Sequence, residues 1–531
     1  MMTDTFQAII DAVKKQEYHH AENLCWSALK SQPNSSLIQK WLGIALLHQK
    51  KYEGALDALL KSLPDHKNDF DVINNIAFTY RHLEDYANAI IYLDEAEKIK
   101  PDQYAVAFNR AQISFSLKNY DVAFDFANRC FEIIKDIPGD GLASDKNLIS
   151  LYLEILIARN NTDETINFIK KELEKKFDAR MFFDLSNTVP QEITEKIKIQ
   201  AQDFALNEEN YFLSRAAAFL GLGRIHEKEK KYKDAFVNYE KGNSIKAEKL
   251  RYKPFAAQEQ IKKTIKYFNK NFYLNMYGNF DGKYSERGKN CIFIVGNPRS
   301  GTTLVESILG SSDKIVSAGE LTIFNRLAQF NYDNLSPEET LEIGDEYLRI
   351  LKNFNPNNDH QFVIDKLPAN IYNVGLIKLC LPSAKIICLN RRPLDNAWSI
   401  FTQFYLANIP YSSNLFNLGI ALSNVEALKK LWLSQNDNGN FLLMDYEKIV
   451  SDPQKYAKEI YNFIGINELY DEEKRKKFSS RTASKTQIKK DIYTSSISRS
   501  KDYDIFLDEF EKSYKNQNAY WDKYLKDHKV L

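Results

Sequence analysis

Apolar residues recur with helical spacing through the first part of the chain, and that pattern itself repeats every 34 residues. Tyr18, Tyr52, Tyr86 and Tyr120 mark one phase, and Ala21, Ala55, Ala89 and Ala123 mark another. Gly43, Ala77 and Ala111 recur in the same frame, while Trp41, Leu42, Ala45 and Leu46 carry the apolar stripe between markers. Pro33 and Pro101 share a phase at which a helix must stop. The predicted unit is a pair of helices, with small residues where they touch and tyrosines filling grooves between neighbours. One pair cannot bury its stripe alone; a stack can. The period weakens at 136–144, where a loop is expected. It returns near Gly223, Tyr232 and Ala235, which match the phase of Gly43, Tyr52 and Ala55.

Downstream the periodicity changes. Four short apolar runs, Cys291–Val295, Phe362–Ile364, Lys385–Leu389 and Phe441–Met444, read as buried strands. Helical patterns at 304–309, 371–380, 397–405 and 418–433 separate them, which predicts an α/β domain with a mostly parallel sheet. The expected organisation is helical repeats over 1–135, their irregular continuation over 136–250, a helical linker and loop over 251–289, and the α/β domain over 290–531.

Composition removes several function classes. Lys and Arg number 72 against 71 acidic residues, so no global field favours nucleic acid or an anionic membrane. The cluster Lys474–Lys477 reads as solvated surface. Five cysteines without a C-x-x-C pair point to buried free thiols in a reducing compartment. Eight dispersed histidines give no metal-ligand cluster, and no apolar run approaches a membrane span. A cytoplasmic protein without a metal is the expectation.

The chemistry centres on Val295–Thr303, V-G-N-P-R-S-G-T-T. Gly296 and Gly301 keep the G-x-x-x-x-G spacing of a phosphate loop between a strand and a helix, where backbone N–H groups converge. Thr302 stands where a nucleotide triphosphatase has its lysine, so a terminal phosphoryl group is not the expected cargo. Arg299 supplies a planar charged fork instead. A second stretch, K-I-I-C-L-N-R-R-P-L-D-N-A-W-S, ends a strand at Arg391, turns at Pro393 and offers Asp395 as a helix cap. Ser399 lies one turn into that helix, placed to share a phosphate with Arg391. Asp365-Lys366 and Asp445-Tyr446-Glu447 also follow predicted strands, where α/β sheets bind ligands.

P-R-S-G-T-T combined with R-x-P-x-D-x-x-x-S resembles the two cofactor motifs of sulfotransferases. The repeats resemble tetratricopeptide repeats. The combination resembles tetratricopeptide-repeat sulfotransferases and, more distantly, tyrosylprotein sulfotransferases. The resemblance runs from about Asn290 to Tyr503. It implies 3'-phosphoadenosine 5'-phosphosulfate (PAPS) as donor, 3'-phosphoadenosine 5'-phosphate as product, and no metal. It assigns Arg299, Ser300, Gly301, Thr302 and Thr303 to the 5'-phosphosulfate, and Arg391 and Ser399 to the 3'-phosphate, with Arg499 supporting. Tyr446 becomes an aromatic neighbour of the nucleotide. Glu320, in S-A-G-E-L, matches the catalytic carboxylate, Lys366 the lysine at the transferring oxygens, and Ser484 a ligand on the closing segment. Arg392 and Ser500 depart from the pattern: Arg392 adds charge beside the nucleotide, and Ser500 replaces a common tryptophan.

The implied reaction sulfonates a hydroxyl acceptor, a peptide tyrosine, glycan or small hydroxylated molecule. Two other readings stand beside it: a repeat-based protein-binding scaffold with an inactive nucleotide-binding domain, and a P-loop small-molecule kinase. The repeats suit a protein partner, or else buttress the second domain or form a homodimer.

Overall fold

The computed structural model describes residues 2–135, 146–159, 162–268, 284–327, 335–405, 409–436, 438–478, 492 and 499–530. Two compact units are present: Met1–Asn161 with Arg349–Asn353, and Thr162–Leu348 with Phe354–Leu531.

The first unit contains α1 (Met2–Lys14), α2 (Tyr18–Ser31), α3 (Ser36–His48), α4 (Tyr52–Ser62), α5 (Phe70–His82), α6 (Tyr86–Ile99), α7 (Tyr104–Ser116), α8 (Tyr120–Lys135) and α9 (Lys146–Ala158). The four periodic tyrosines are the first residues of α2, α4, α6 and α8. Two positions before each lies a left-handed residue: Gln16, Lys50, Glu84 and Lys118, with φ of 61°, 61°, 63° and 63°. That turn reverses the chain between paired helices. Tyr18 then stacks on His48 at 4.3 Å and Tyr52 on His82 at 4.6 Å, each reaching the next repeat. Ala21, Ala55, Ala89 and Ala123 are fully buried. At Gly43 a Cβ would lie 2.5 Å from Leu59 Cγ, so α3 and α4 approach too closely for a side chain there.

The second unit begins with more helices: α10 (Thr162–Lys175), α11 (Ala179–Thr188), α12 (Glu195–Leu206), α13 (Phe212–Lys228), α14 (Tyr232–Leu250) and α15 (Pro254–Tyr267). Lys230, at φ 60°, precedes Tyr232 as in the first unit's repeats. These helices and the sheet belong to one compact unit, Thr162–Leu348 with Phe354–Leu531.

The sheet has five parallel strands, β1 (Cys291–Gly296), β2 (Ile315–Gly319), β3 (Phe362–Asp365), β4 (Lys385–Asn390) and β5 (Phe441–Asp445), in the order β2-β3-β1-β4-β5. Burial on both faces explains the continuous apolar runs of β1, β3 and β4. β2, read I-V-S-A-G, carries too few bulky residues to signal a strand from sequence. The chain leaves β1 toward β2 on one side, and β4 toward β5 on the other. The switch point therefore falls between β1 and β4, where the register pairs Gly296 with Leu389. Beyond β1 lies α16 (Thr302–Leu309); beyond β4 lies α17 (Pro393–Phe401), followed by α18 (Leu415–Ser434) and the C-terminal α19 (Asp508–Asp527).

One core places Ile292, Ile294 and Ile364 of the sheet against Ile308 of α16 and Ile460 of the helix Pro453–Ile464. A second joins α13 and α14 to α17 and the segment through Tyr503 and Phe510. Phe236 stacks on Phe506 at 4.3 Å, Tyr239 meets Trp398 edge-on at 5.5 Å, and Tyr503 stacks on Trp398 at 3.8 Å. The helical hairpin α13–α14 thus shares its interior with the helix that follows β4.

Candidate active site

The turn after β1 is shaped by three residues with positive φ: Gly296 (144°), Arg299 (63°) and Gly301 (103°). A Cβ at Gly296 would lie 2.8 Å from Leu389 O, and one at Gly301 would lie 2.4 Å from the Tyr446 ring. Both positions require glycine for space as well as conformation. Ser300 Oγ donates to Asn297 O at 2.7 Å, closing the turn. Thr302 and Thr303, both buried, open α16, whose first N–H groups precede any intrahelical bond. Backbone donors and a helix N-terminus therefore meet in a cradle that bulkier residues would fill, which fits a phosphate.

α17 gathers the positive charge. Arg299 Nε donates to Ser399 Oγ at 3.1 Å, and Arg391 Nη1 donates to Arg299 O at 2.7 Å. Asn396 Nδ2 adds a bond to Pro298 O at 2.8 Å. The Arg391 guanidinium sits 4.6 Å from the Tyr446 ring centroid. The structure thus brings Arg299, Arg391, Ser399 and Tyr446 into one cluster. Burial, aided by the charges of Arg391, Arg224 and Arg499, pushes Arg299 down to about 10. Burial also lowers Arg391, with Tyr446, Asp395 and Glu447 acting in the opposite sense.

Asp395 does not cap α17. Arg392 occupies the cap position and Pro393 the first turn, so Asp395 lies too far into the helix. Its carboxylate instead accepts from Ser500 N at 3.1 Å and pairs with Arg392 Nε at 3.4 Å. Arg392 N also donates to Glu447 Oε1 at 2.9 Å. Arg392, the departure from the motif, is thus drawn toward carboxylates.

Glu320 and Lys366 meet because β2 and β3 are parallel neighbours whose ends lie side by side. Lys366 N donates to Gly319 O at 2.7 Å, and Lys366 Nζ donates to Glu320 Oε1 at 2.5 Å. Glu306 of α16 stands 3.8 Å from the same ammonium and accepts from Ser317 Oγ at 2.6 Å. Lys366 and Glu306 are buried, while the Glu320 side chain is 43% exposed. Burial, the largest influence, opposes the Lys366 charge, yet Glu320 and Glu306 hold the ammonium above its ordinary range. Asp365 is an orienter: it accepts from Leu321 N, Tyr347 Oη and Asn370 Nδ2 at 3.4, 3.1 and 3.4 Å. Tyr405 lies within electrostatic range of both Arg299 and Glu320, and burial pushes its phenol up to about 12.

Arg499 is held by a residue the sequence reading did not select. Its Nε donates to Glu227 Oε1 at 3.1 Å, and its Nη2 engages Glu227 Oε2. Glu227 and Arg224 lie on α13, inside a stretch whose pattern announced only another repeat. Their sole local signal was a charged pair three residues apart on a largely buried helix. Ser484 lies outside the described residues.

Residues 291–472 match the family model described as the sulfotransferase family. Residues 6–69 and 70–103 match tetratricopeptide repeat models. The chain therefore joins tetratricopeptide repeats to a sulfotransferase-family domain. An uncharacterized protein from Aquifex aeolicus (strain VF5) is 29% identical over 314 residues, 55% of this chain and 40% of that protein. The chain thus spans well under half the length of this relative. Among solved structures, the sulfotransferase domain of the Synechococcus PCC 7002 olefin synthase is 18% identical. It aligns with 40% of this chain and 88% of its own, with TM-score 0.30. A tetratricopeptide repeat protein from Parabacteroides merdae ATCC 43184 is 16% identical, with 46% and 92% covered and TM-score 0.34.

Proposed function

We propose that this protein is a sulfotransferase that moves a sulfonate group from PAPS to a hydroxyl acceptor. The observation that carries the reading is the pairing of Glu320 with buried Lys366 in the same unit as a lysine-free phosphate cradle and its arginine cluster. When bound, the donor supplies an activated sulfonate on its 5'-phosphate. The cradle amides, Arg299, Ser300, Gly301, Thr302 and Thr303 would hold that phosphate, and Arg391 with Ser399 the 3'-phosphate.

Glu320 takes the acceptor's hydroxyl proton on its exposed carboxylate as the acceptor oxygen attacks sulfur. Lys366 supplies positive charge where the departing phosphate oxygen gains negative charge, and Glu306 keeps that ammonium in place. Ser484 is assigned to the sulfonate or phosphate oxygens. The acceptor class is a peptide tyrosine, a glycan or a small hydroxylated molecule, and the first unit's repeats would bind a protein or peptide partner.

The test incubates the whole chain with sulfur-labelled donor and an extract of the source cells, beside a Glu320→Ala control. Labelled product with wild type and none with the variant is expected. Failure of the wild-type protein both to transfer label and to bind the bisphosphate product would overturn the reading.

A further inference from the structure

Two arginines of different origin converge on one carboxylate, and both lie within electrostatic range of Arg299 in the phosphate cradle. Glu227 on α13 accepts from Tyr239 Oη at 2.8 Å, from Arg499 through both of its oxygens, and from Arg224 Nη1 at 3.3 Å. Arg224 Nη2 donates to Thr402 O at 3.0 Å, at the end of the helix that carries Ser399. On the neighbouring helix, Asn243 Nδ2 donates to Phe401 O at 2.7 Å. The hairpin α13–α14 is therefore bonded to the C-terminal end of α17, while the N-terminal part of α17 holds Ser500 through Asp395.

The Arg224 side chain is 9% exposed, and its Nε has no hydrogen-bond partner. A buried guanidinium N–H without an acceptor is costly to maintain. Burial, the strongest influence on Glu227, favours the neutral acid, yet Arg499 and Arg224 hold its carboxyl below the ordinary range. Glu227 therefore remains an anion that fixes two cations. Around α17 the described residues include five guanidinium groups (Arg224, Arg299, Arg391, Arg392, Arg499) and three carboxylates (Glu227, Asp395, Glu447). Among these eight groups positive charge exceeds negative by two, which suits a phosphate dianion.

We infer that Arg224, delivered by the repeat-like hairpin, is a specificity-determining residue for the 3'-phosphate of the donor, and that Glu227 is the positioning residue that aims Arg224 and Arg499. The inference rests on the sulfotransferase reading above. It makes the hairpin part of the nucleotide site.

The experiment compares binding of adenosine 3',5'-bisphosphate and adenosine 5'-monophosphate by calorimetry in wild type, Arg224→Ala, Arg224→Lys and Glu227→Gln. In Arg224→Ala, bisphosphate affinity should fall by about 10- to 100-fold, as for loss of a charge-assisted bond, with monophosphate affinity nearly unchanged. Arg224→Lys should restore part of the ratio, and Glu227→Gln should lower it through both arginines. Equal losses for the two nucleotides, or an unchanged ratio in every variant, would overturn the inference. If Arg224→Ala does not fold, the ratio in Arg224→Lys decides, because a purely structural role would leave it at the wild-type value. A wild-type protein with no preference for the bisphosphate would instead overturn the underlying reading, and this inference with it.

Discussion

Lys366 Nζ lies between two carboxylates of unequal character, 2.5 Å from half-exposed Glu320 and 3.8 Å from buried Glu306. One partner can turn toward a substrate while the other keeps the ammonium charged. Lys366→Met should leave Glu306 uncompensated and destabilise the protein by about 3–5 kcal/mol. Lys366→Met/Glu306→Gln should recover part of that loss in urea unfolding. The raised Lys366 value fixes the sign with pH. Its contribution is fully present below the ordinary 10.5 and is lost only as pH climbs through the higher folded value.

Glu320→Gln removes the proposed base and keeps the shape. Sulfonate transfer should fall by about 10²–10⁴-fold, with unfolding free energy changed by less than about 1 kcal/mol because the side chain is partly solvated. Rapid-quench product assays and denaturant curves check both. Unchanged turnover would remove Glu320 from the reaction.

Gly301→Ala should weaken binding of the bisphosphate and cost about 1–3 kcal/mol of stability from the positive φ alone. Adding Tyr446→Ala should relieve the clash with the ring but not that strain. Full recovery in the double variant would show that space, not conformation, dictates glycine there.

Lys246 is a fully buried cation on α14 whose ammonium has no hydrogen-bond partner and lies 5.8 Å from the Phe404 ring centroid. Burial lowers it to about 8. A lowered folded value means the unfolded chain binds the proton more tightly. The penalty is complete below pH 8, shrinks as pH rises, and vanishes above 10.5. Lys246→Met should therefore stabilise the protein at pH 7 by an amount on the order of 2–3 kcal/mol, and scarcely at all near pH 11. Urea midpoints at the two pH values measure the difference.

The repeats were legible because their markers do local work. Each periodic tyrosine starts a helix, and each periodic alanine is fully buried. The turn after β1 was legible because Gly296, Arg299 and Gly301 lie close together in sequence. Two things were not. β2 lacks an apolar run, although its end is what sets Glu320 beside Lys366. Arg224 and Glu227 sit some 75 residues upstream of the cradle in a segment with repeat phase, and only tertiary packing brings them to Arg499. Asp395 shows the reverse error: a good capping residue whose position, set by Pro393, gives its oxygens to Ser500 and Arg392 instead.

The shared interior of α13–α14 and α17 decides where this chain can be cut. A fragment starting at residue 290 would leave the Trp398 and Phe401 rings facing water and Arg499 without its counterion. It would be expected to clump rather than fold, whereas one starting near residue 162 keeps every contact of that hydrophobic seam.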